Sequence, residues 1–132
     1  MQAFIVECPN RPGEIARLCG TIGERGINIA TLGSVAWGDA GAVGFCTSDA
    51  DGTRQALDGS GYRYREVDGL EFTLPDRAGT LADACRRIAD AGVNIEFMAP
   101  STIGSGDVTF FCACDNVQAA KQALGEKVLV HA

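Results

Sequence analysis

Two short corners hold the residues of this chain best suited to chemistry. Asn10-Arg11-Pro12-Gly13 and Asp76-Arg77-Ala78-Gly79 each follow an alternating apolar stretch and precede a helical pattern. The first turn of a helix leaves backbone N–H groups unpaired and carries the positive end of the helix dipole, so a carboxylate or phosphate can sit there. Glycine at positions 13 and 79 removes the Cβ and lets a small molecule approach the backbone. The same residues also read as structural punctuation. Asn10 and Asp76 are N-cap types, and Pro12 suits a first helical turn.

No other group of residues forms a catalytic set, and the chain is not expected to be an enzyme. Its one histidine, His131, reads as a frayed terminal bystander. The glycines fall at turns and helix ends, and no Walker-type phosphate loop is present. Six cysteines sit inside apolar patterns, where cysteine acts as a small buried hydrophobe. Cys112 and Cys114 share one face of an expected strand. A structural zinc site wants four ligands in paired spacing, and no histidine or third cysteine lies nearby. No metal and no cofactor are expected.

The corners belong to a unit written twice, 66 residues apart. Gly26-Ile27-Asn28-Ile29 returns as Gly92-Val93-Asn94-Ile95, Ile22 as Ile88, and Phe45-Cys46 as Phe111-Cys112. One inserted residue further on sets Arg54-Gln55-Ala56-Leu57 opposite Lys121-Gln122-Ala123-Leu124. A duplicated module of this size pairs with its own copy. The boundaries expected are 1–66 and 67–132.

Each unit spells out its elements. Phe4, Val6 and Cys8 alternate along the first strand, as do Leu70, Phe72 and Leu74, so these faces should look inward. Ile15, Leu18, Cys19 and Ile22 follow helical spacing, repeated by Leu81, Ala84, Cys85 and Ile88. Gly26 and Gly92 sit where a helix-ending glycine belongs. Second strands should run to about Trp37 and Ile103, then turn at Gly38-Asp39-Ala40-Gly41 and Gly104-Ser105-Gly106-Asp107. Third strands span Ala42 to Thr47 and Val108 to Cys114. Second helices cover Thr53 to Leu57 and Val117 to Leu124. Short last strands lie near Tyr62 to Val67 and Lys127 to Val130. The class is α+β, two ferredoxin-like βαββαβ units. The third strands are apolar on both sides around Phe45 and Phe111, which suggests that a second copy of the chain covers the helix-free face.

Bulk composition narrows the partners. Net charge is −6, from 11 basic and 17 acidic residues, and Lys121 and Lys127 are the only lysines. Nucleic acids and anionic membranes both require a basic face, so neither is expected as a partner. Hydrophobic residues make up 46% and charged residues 21%, a globular balance. No apolar run approaches membrane-spanning length. The start, Met1-Gln2-Ala3-Phe4-Ile5-Val6, has no basic stretch and meets Glu7 at once, unlike a secretory signal. A cytoplasmic location is expected.

The corner pattern, an amphipathic helix and then Gly-Ile/Val-Asn-Ile, present twice at matching spacing, resembles the ACT-domain family. The resemblance covers essentially the whole chain and leaves no residues for a separate catalytic or DNA-binding domain. It implies a regulatory module that binds a small ligand, usually an amino acid, and acts on a protein partner. It also implies units paired edge to edge through their second strands, giving an eight-stranded antiparallel sheet with helices on one face. Ligand then sits at the seam. Carried over residue by residue, one set is Asn10, Arg11, Pro12, Gly13, Glu14 and Ile15 with Asn28 and Ile29. The other is Asp76, Arg77, Ala78, Gly79, Thr80 and Leu81 with Asn94 and Ile95. Asn10 and Ala78 depart from the family's commoner Asp and Pro, so the two sites need not be equal. The rival reading is a non-catalytic subunit that binds a partner enzyme without binding ligand.

Overall fold

The structure, a computed structural model, describes residues 1–129; His131 and the Val130 end of the expected last strand lie outside the described residues. The elements run in order β1 (Gln2–Pro9), α1 (Glu14–Gly23), β2 (Ile29–Trp37), β3 (Ala40–Thr47), α2 (Ala50–Gly59), β4 (Tyr64–Pro75), α3 (Thr80–Asp90), β5 (Ile95–Ile103), β6 (Asp107–Cys114) and α4 (Val117–Leu124). A 3₁₀ turn, Gly125–Lys127, follows α4. No helix among the described residues is long and apolar enough to cross a membrane. Contacts divide the chain into two compact units, Gln2–Glu66 and a second made of Met1 with Val67 onward.

In the first unit β3 lies between β2 and β1, antiparallel to both. The period-two pattern places Phe4 opposite Phe45 and Val6 opposite Val43, all essentially unexposed. Leu18 and Ile22 from α1 and Leu57 from α2 close this core. The other two residues of the expected α1 stripe lie at its margin, Ile15 exposed and Cys19 half-buried. The fourth strand of the unit is the opening stretch of β4, and the Glu7 N–H donates to the Arg63 carbonyl just before it.

The second unit repeats the scheme. β6 lies between β5 and β4, and its core gathers Leu70, Phe72, Leu74, Ile88, Cys112 and Leu124. Two differences from the sequence-based expectation have clear causes. First, six strands are described, short of the eight expected. The last strand of unit one and the first of unit two fuse into the single twelve-residue β4, because the backbone stays extended through Asp68 and Gly69. At the other end, Gly125 and the 3₁₀ turn use up residues, and the remaining pairing is an isolated bridge from Val128 to Phe72.

Second, the inserted residue lies earlier than the sequence repeat places it. The β5–β6 register shifts between Pro100 and Thr102, which leaves Ser101 as the extra residue of a bulge. Beyond it the two units correspond at a spacing of 67. Phe45 is therefore the structural counterpart of Cys112, and Phe110 that of Val43. A one-residue slip turns a side chain to the other face of a strand. Phe45 stacks on Phe4 inside its core at 5.8 Å, whereas the stack in the second unit, Phe110 on Phe72, also 5.8 Å, stands in the place of Val43 and Val6. Phe111 faces the other way, beside Phe97 and over Gly69.

This removes the argument for a second copy that rested on the third strands. Phe45 and Phe111 are both 0% exposed within one chain, so neither waits for a partner to cover it.

Candidate functional site

The four helices begin in two different ways. α2 and α4 are capped by side chains: Asp49 accepts from the Gly52 N–H, and Asn116 from the Ala119 N–H. α1 and α3 have no side-chain cap. Their N-cap residues are Gly13 and Gly79, with φ of 89° and 92°, a left-handed conformation that residues with a Cβ rarely adopt. Asn10 and Asp76 are therefore not N-caps. Asn10 sends its Nδ2 to the Gly38 carbonyl at 2.8 Å and ties the corner to the β2–β3 hairpin. Pro12 precedes the helix instead of standing in its first turn. The Glu14 and Thr80 N–H groups donate to the Arg11 and Arg77 carbonyls at 3.4 Å, and no side chain caps the rest of either first turn, which is where an anion can be received.

In the first corner, Arg11 donates from Nε and Nη2 to Glu14 Oε1 at 3.2 and 2.7 Å. The other Glu14 oxygen, Oε2, lies 3.5 Å from Arg17 Nη2, is buried, and accepts no hydrogen bond. Arg17 also packs over the Tyr62 ring, 5.2 Å from its centre. Beneath this group lies a cavity of about 150 Å³, lined by Cys8, Asn10, Arg11, Glu14 and Ile15 from the corner side and by Ser34, Ala36, Gly41 and Val43 from β2 and β3. Burial, and then the Glu14 charge, push the Cys8 thiol up, so it lines the cavity as a neutral group.

The second corner is built with different side chains. Thr80 stands where Glu14 does, and its hydroxyl is taken up by the Pro75 and Arg77 carbonyls at 2.7 and 3.0 Å. Ala78 and Gly79 are exposed, and Leu81 is half-buried against its core.

Asn28 and Ile29 do not join the first corner within their own unit. Pro9 is level with Ala40, which pairs with Trp37, whereas Ile29 pairs with Thr47 at the other end of the sheet. Eight residues of strand separate the two ends, roughly 26 Å. Asn94 and Ile95 stand likewise at the far end of the second unit, where the Asn94 N–H donates to Asp115 Oδ1 at 2.9 Å.

Sequence reasoning missed the contribution of β2 and β3 to the cavity. Gly41 read there as the end of a hairpin turn and Val43 as part of an apolar third strand, and the small side chains along that rim were the one available signal.

Cys8, Cys46, Cys112 and Cys114 are buried, and Cys19 and Cys85 half-buried. Burial pushes Cys112 up to about 12, and Cys85 and Cys114 are raised for the same leading reason. No three His, Cys, Asp or Glu side chains among the described residues are grouped to hold a metal ion.

A family model for the ACT domain matches residues 3–35 and 69–126, more than half of the chain. The chain belongs to the ACT domain family. Solved structures share this ACT fold at low identity. A Bacteroides thetaiotaomicron protein aligns at TM-score 0.80 with 20% identity, over 97% of this chain and 90% of that one. The ligand-free regulatory subunit of aspartate kinase from Thermus thermophilus aligns at 0.70 with 19% identity, over 96% and 90%. The corresponding subunit from Thermus flavus aligns at 0.69 with 20% identity, over the same shares. A search of the curated proteins finds no match.

Proposed function

We propose that this ACT protein is a cytoplasmic, non-catalytic regulator that senses an amino acid and acts on a protein partner, with residues 1–66 and 67–132 as its two ACT domains. The observation that carries the reading is the pair of uncapped, glycine-started helices α1 and α3 beside conventionally capped α2 and α4. The α-carboxylate of the ligand meets the first-turn N–H groups, and its side chain packs near Ile15. Two of the structural relatives are named as regulatory subunits of aspartate kinase, which supports a regulatory role here.

Pairing through second strands belongs to the same reading. β2 is the edge strand of its unit, and its nine residues, Ile29 to Trp37, contain neither a charge nor a proline. β5 carries Glu96, Pro100 and the bulge at Ser101, all devices that discourage edge pairing. β2 therefore pairs with β2 of a second copy, antiparallel about Gly33. This joins two four-stranded sheets into the eight-stranded sheet of the family, with helices on one face. It also brings Asn28 and Ile29 of the second copy level with Trp37, beside the first corner, where Asn28 can receive the ligand's ammonium.

Thermal melting against each of the twenty amino acids tests the reading. A ligand at a hundred times its dissociation constant stabilises by about 2.7 kcal/mol. If no amino acid shifts the transition at millimolar concentration, the protein is a regulatory subunit that binds its partner without ligand.

A further inference from the structure

We propose that the β2–β3 hairpin end of the first unit docks an arginine-bearing segment of the protein partner, with the guanidinium on the Trp37 indole and against the Asp39 carboxylate. The inference rests on the reading above for the existence of a protein partner, and it gives that partner the sheet face that the helices leave open.

Residues paired across antiparallel strands point to one face, and alternate residues of a strand share it. Phe4, Val6, Val43 and Phe45 take the face that α1 and α2 cover. The opposite face therefore holds Trp37 beside Ala40 and Pro9, and Val35 beside Ala42 and Glu7. The Glu7 N–H donates to the Arg63 carbonyl, so Arg63 comes next in that row. Larger side chains stand on β2 and β1, and only alanine methyls stand between them on β3. The result is a trough two strand spacings wide, about 10 Å from backbone to backbone. An open cavity of about 470 Å³ lies between Glu7, Pro9, Asp39, Ala40 and Arg63.

The trough suits a cation flanked by apolar groups. Trp37 is 90% exposed and Val35 69%, so neither holds the core of its own unit. An indole face is the best aromatic surface for a cation and takes a guanidinium flat. Asp39, in the hairpin turn, has a carboxylate with no hydrogen bond or ion pair among the described residues. Glu7 adds a second carboxylate, held by Arg63 at 3.7 Å with both side chains exposed, a contact worth little in water. A guanidinium gives Asp39 a partner with two parallel donors, and apolar residues on either side of it cover Val35 and the alanines. A net charge of −6 steers a basic partner toward the chain at longer range.

The second unit shows that the fold does not require this arrangement. The Asn10 N–H donates to the Asp39 carbonyl, and the Asp76 N–H to the Gly106 carbonyl, which matches the two hairpins residue by residue. With Ser101 set aside in its bulge, Trp37 corresponds to Gly104, Val35 to Thr102 and Glu7 to Thr73. No aromatic ring and no carboxylate stands at any of these four places, and the Thr73 hydroxyl is already hydrogen-bonded to Thr109. The exposed tryptophan beside two acids belongs to the first hairpin and not to the second.

Trp37 is the only tryptophan in the chain, so its fluorescence reports this site and no other. The probe is an acetylated, amidated tripeptide with arginine between two leucines, titrated into the full chain, and the same tripeptide with citrulline is its uncharged match. A saturable change in emission at millimolar arginine peptide is expected, with the citrulline form at least tenfold weaker. Asp39→Asn should weaken binding at least threefold, and Trp37→Ala, followed by calorimetry, should abolish it; both side chains are exposed, so the circular dichroism spectrum should be retained. No saturable change in the wild type would overturn the inference, as would equal affinity for the two peptides, or undiminished binding to folded Trp37→Ala or Asp39→Asn. So would a Trp37→Ala variant that breaks a sedimenting dimer, which would give the trough to a second copy of the chain. Both ends of the probe are blocked, so these outcomes are separate from the amino-acid reading, which stands or falls on free amino acids.

Discussion

Gly69 and Phe111 provide a quantitative test of the fold. A Cβ added at Gly69 would overlap the tip of the Phe111 ring and stand 2.8 Å from the Cys112 carbonyl oxygen. Gly69 has no left-handed φ, so the effect of alanine there is steric. Overpacking of this kind costs about 1–3 kcal/mol. Phe111 is fully buried, and Phe111→Ala should cost about 3–5 kcal/mol through lost burial and the cavity left behind. For a chain of this size that lowers the melting temperature by on the order of 10–20 °C. The two effects should not add. Removing the ring relieves the larger of the two clashes at Gly69, while the carbonyl contact remains. The double variant should therefore be more stable than additivity requires by about 1 kcal/mol. Urea denaturation of the wild type, both single variants and the double variant gives the four free energies. Additivity within error would mean that Phe111 does not lie over Gly69 and that the register assigned to β6 is wrong. A folded Phe111→Glu variant that merely becomes monomeric would restore the second-copy explanation rejected above.

Other consequences can be measured separately. Asp49→Ala and Asn116→Ala should each cost about 0.5–2 kcal/mol as lost caps, whereas Asp76→Ala should stay within about 0.5 kcal/mol in the same denaturation assay. The Cys112 thiol is raised in the fold from 9.0 to about 12, which disfavours its thiolate. Its contribution to stability should therefore be intact below pH 9 and decline as pH climbs from there toward 12, as melting curves across that window would record. At neutral pH a thiol reagent should leave Cys112 unlabelled in the native protein; prompt labelling would contradict its burial. Val35→Lys, on the exposed β2 edge, should turn a sedimenting dimer into a monomer whose melting temperature no longer depends on protein concentration. A persistent dimer would move the interface away from β2.

Much of the fold was legible because local rules agree with each other along most of the chain. Alternation marked the buried faces of β1 and β4, and helical spacing marked Leu18, Ile22, Ala84 and Ile88 as core. Asn116 before Val117 could have been read as a cap, and it is one. The corner residues were also visible as a repeat, with Gly13 and Gly79 at matching places, whereas the left-handed turn that each makes before its helix appears only in the structure. What those corners do was less legible. Asn10 has the right chemistry for capping, and the sequence has no record that the β2–β3 hairpin comes close enough to claim its side chain.

The amino-acid sequence by itself determined the duplication, the order of helices and strands within each unit, and the glycine corners, because each of these depends on residues a few positions apart. Tertiary structure alone decided the register of β6 and the inequality of the two corners. A sequence repeat counts residues and cannot see that Ser101 drops out of the ladder into a bulge. Once it does, Phe110 takes the inward place under the second corner and Phe111 turns to the opposite face. Whether a cavity lies under either corner depends on side-chain volumes brought together from β1, β2 and β3, or from β4, β5 and β6, and that sum over distant strands exists only after the chain has folded.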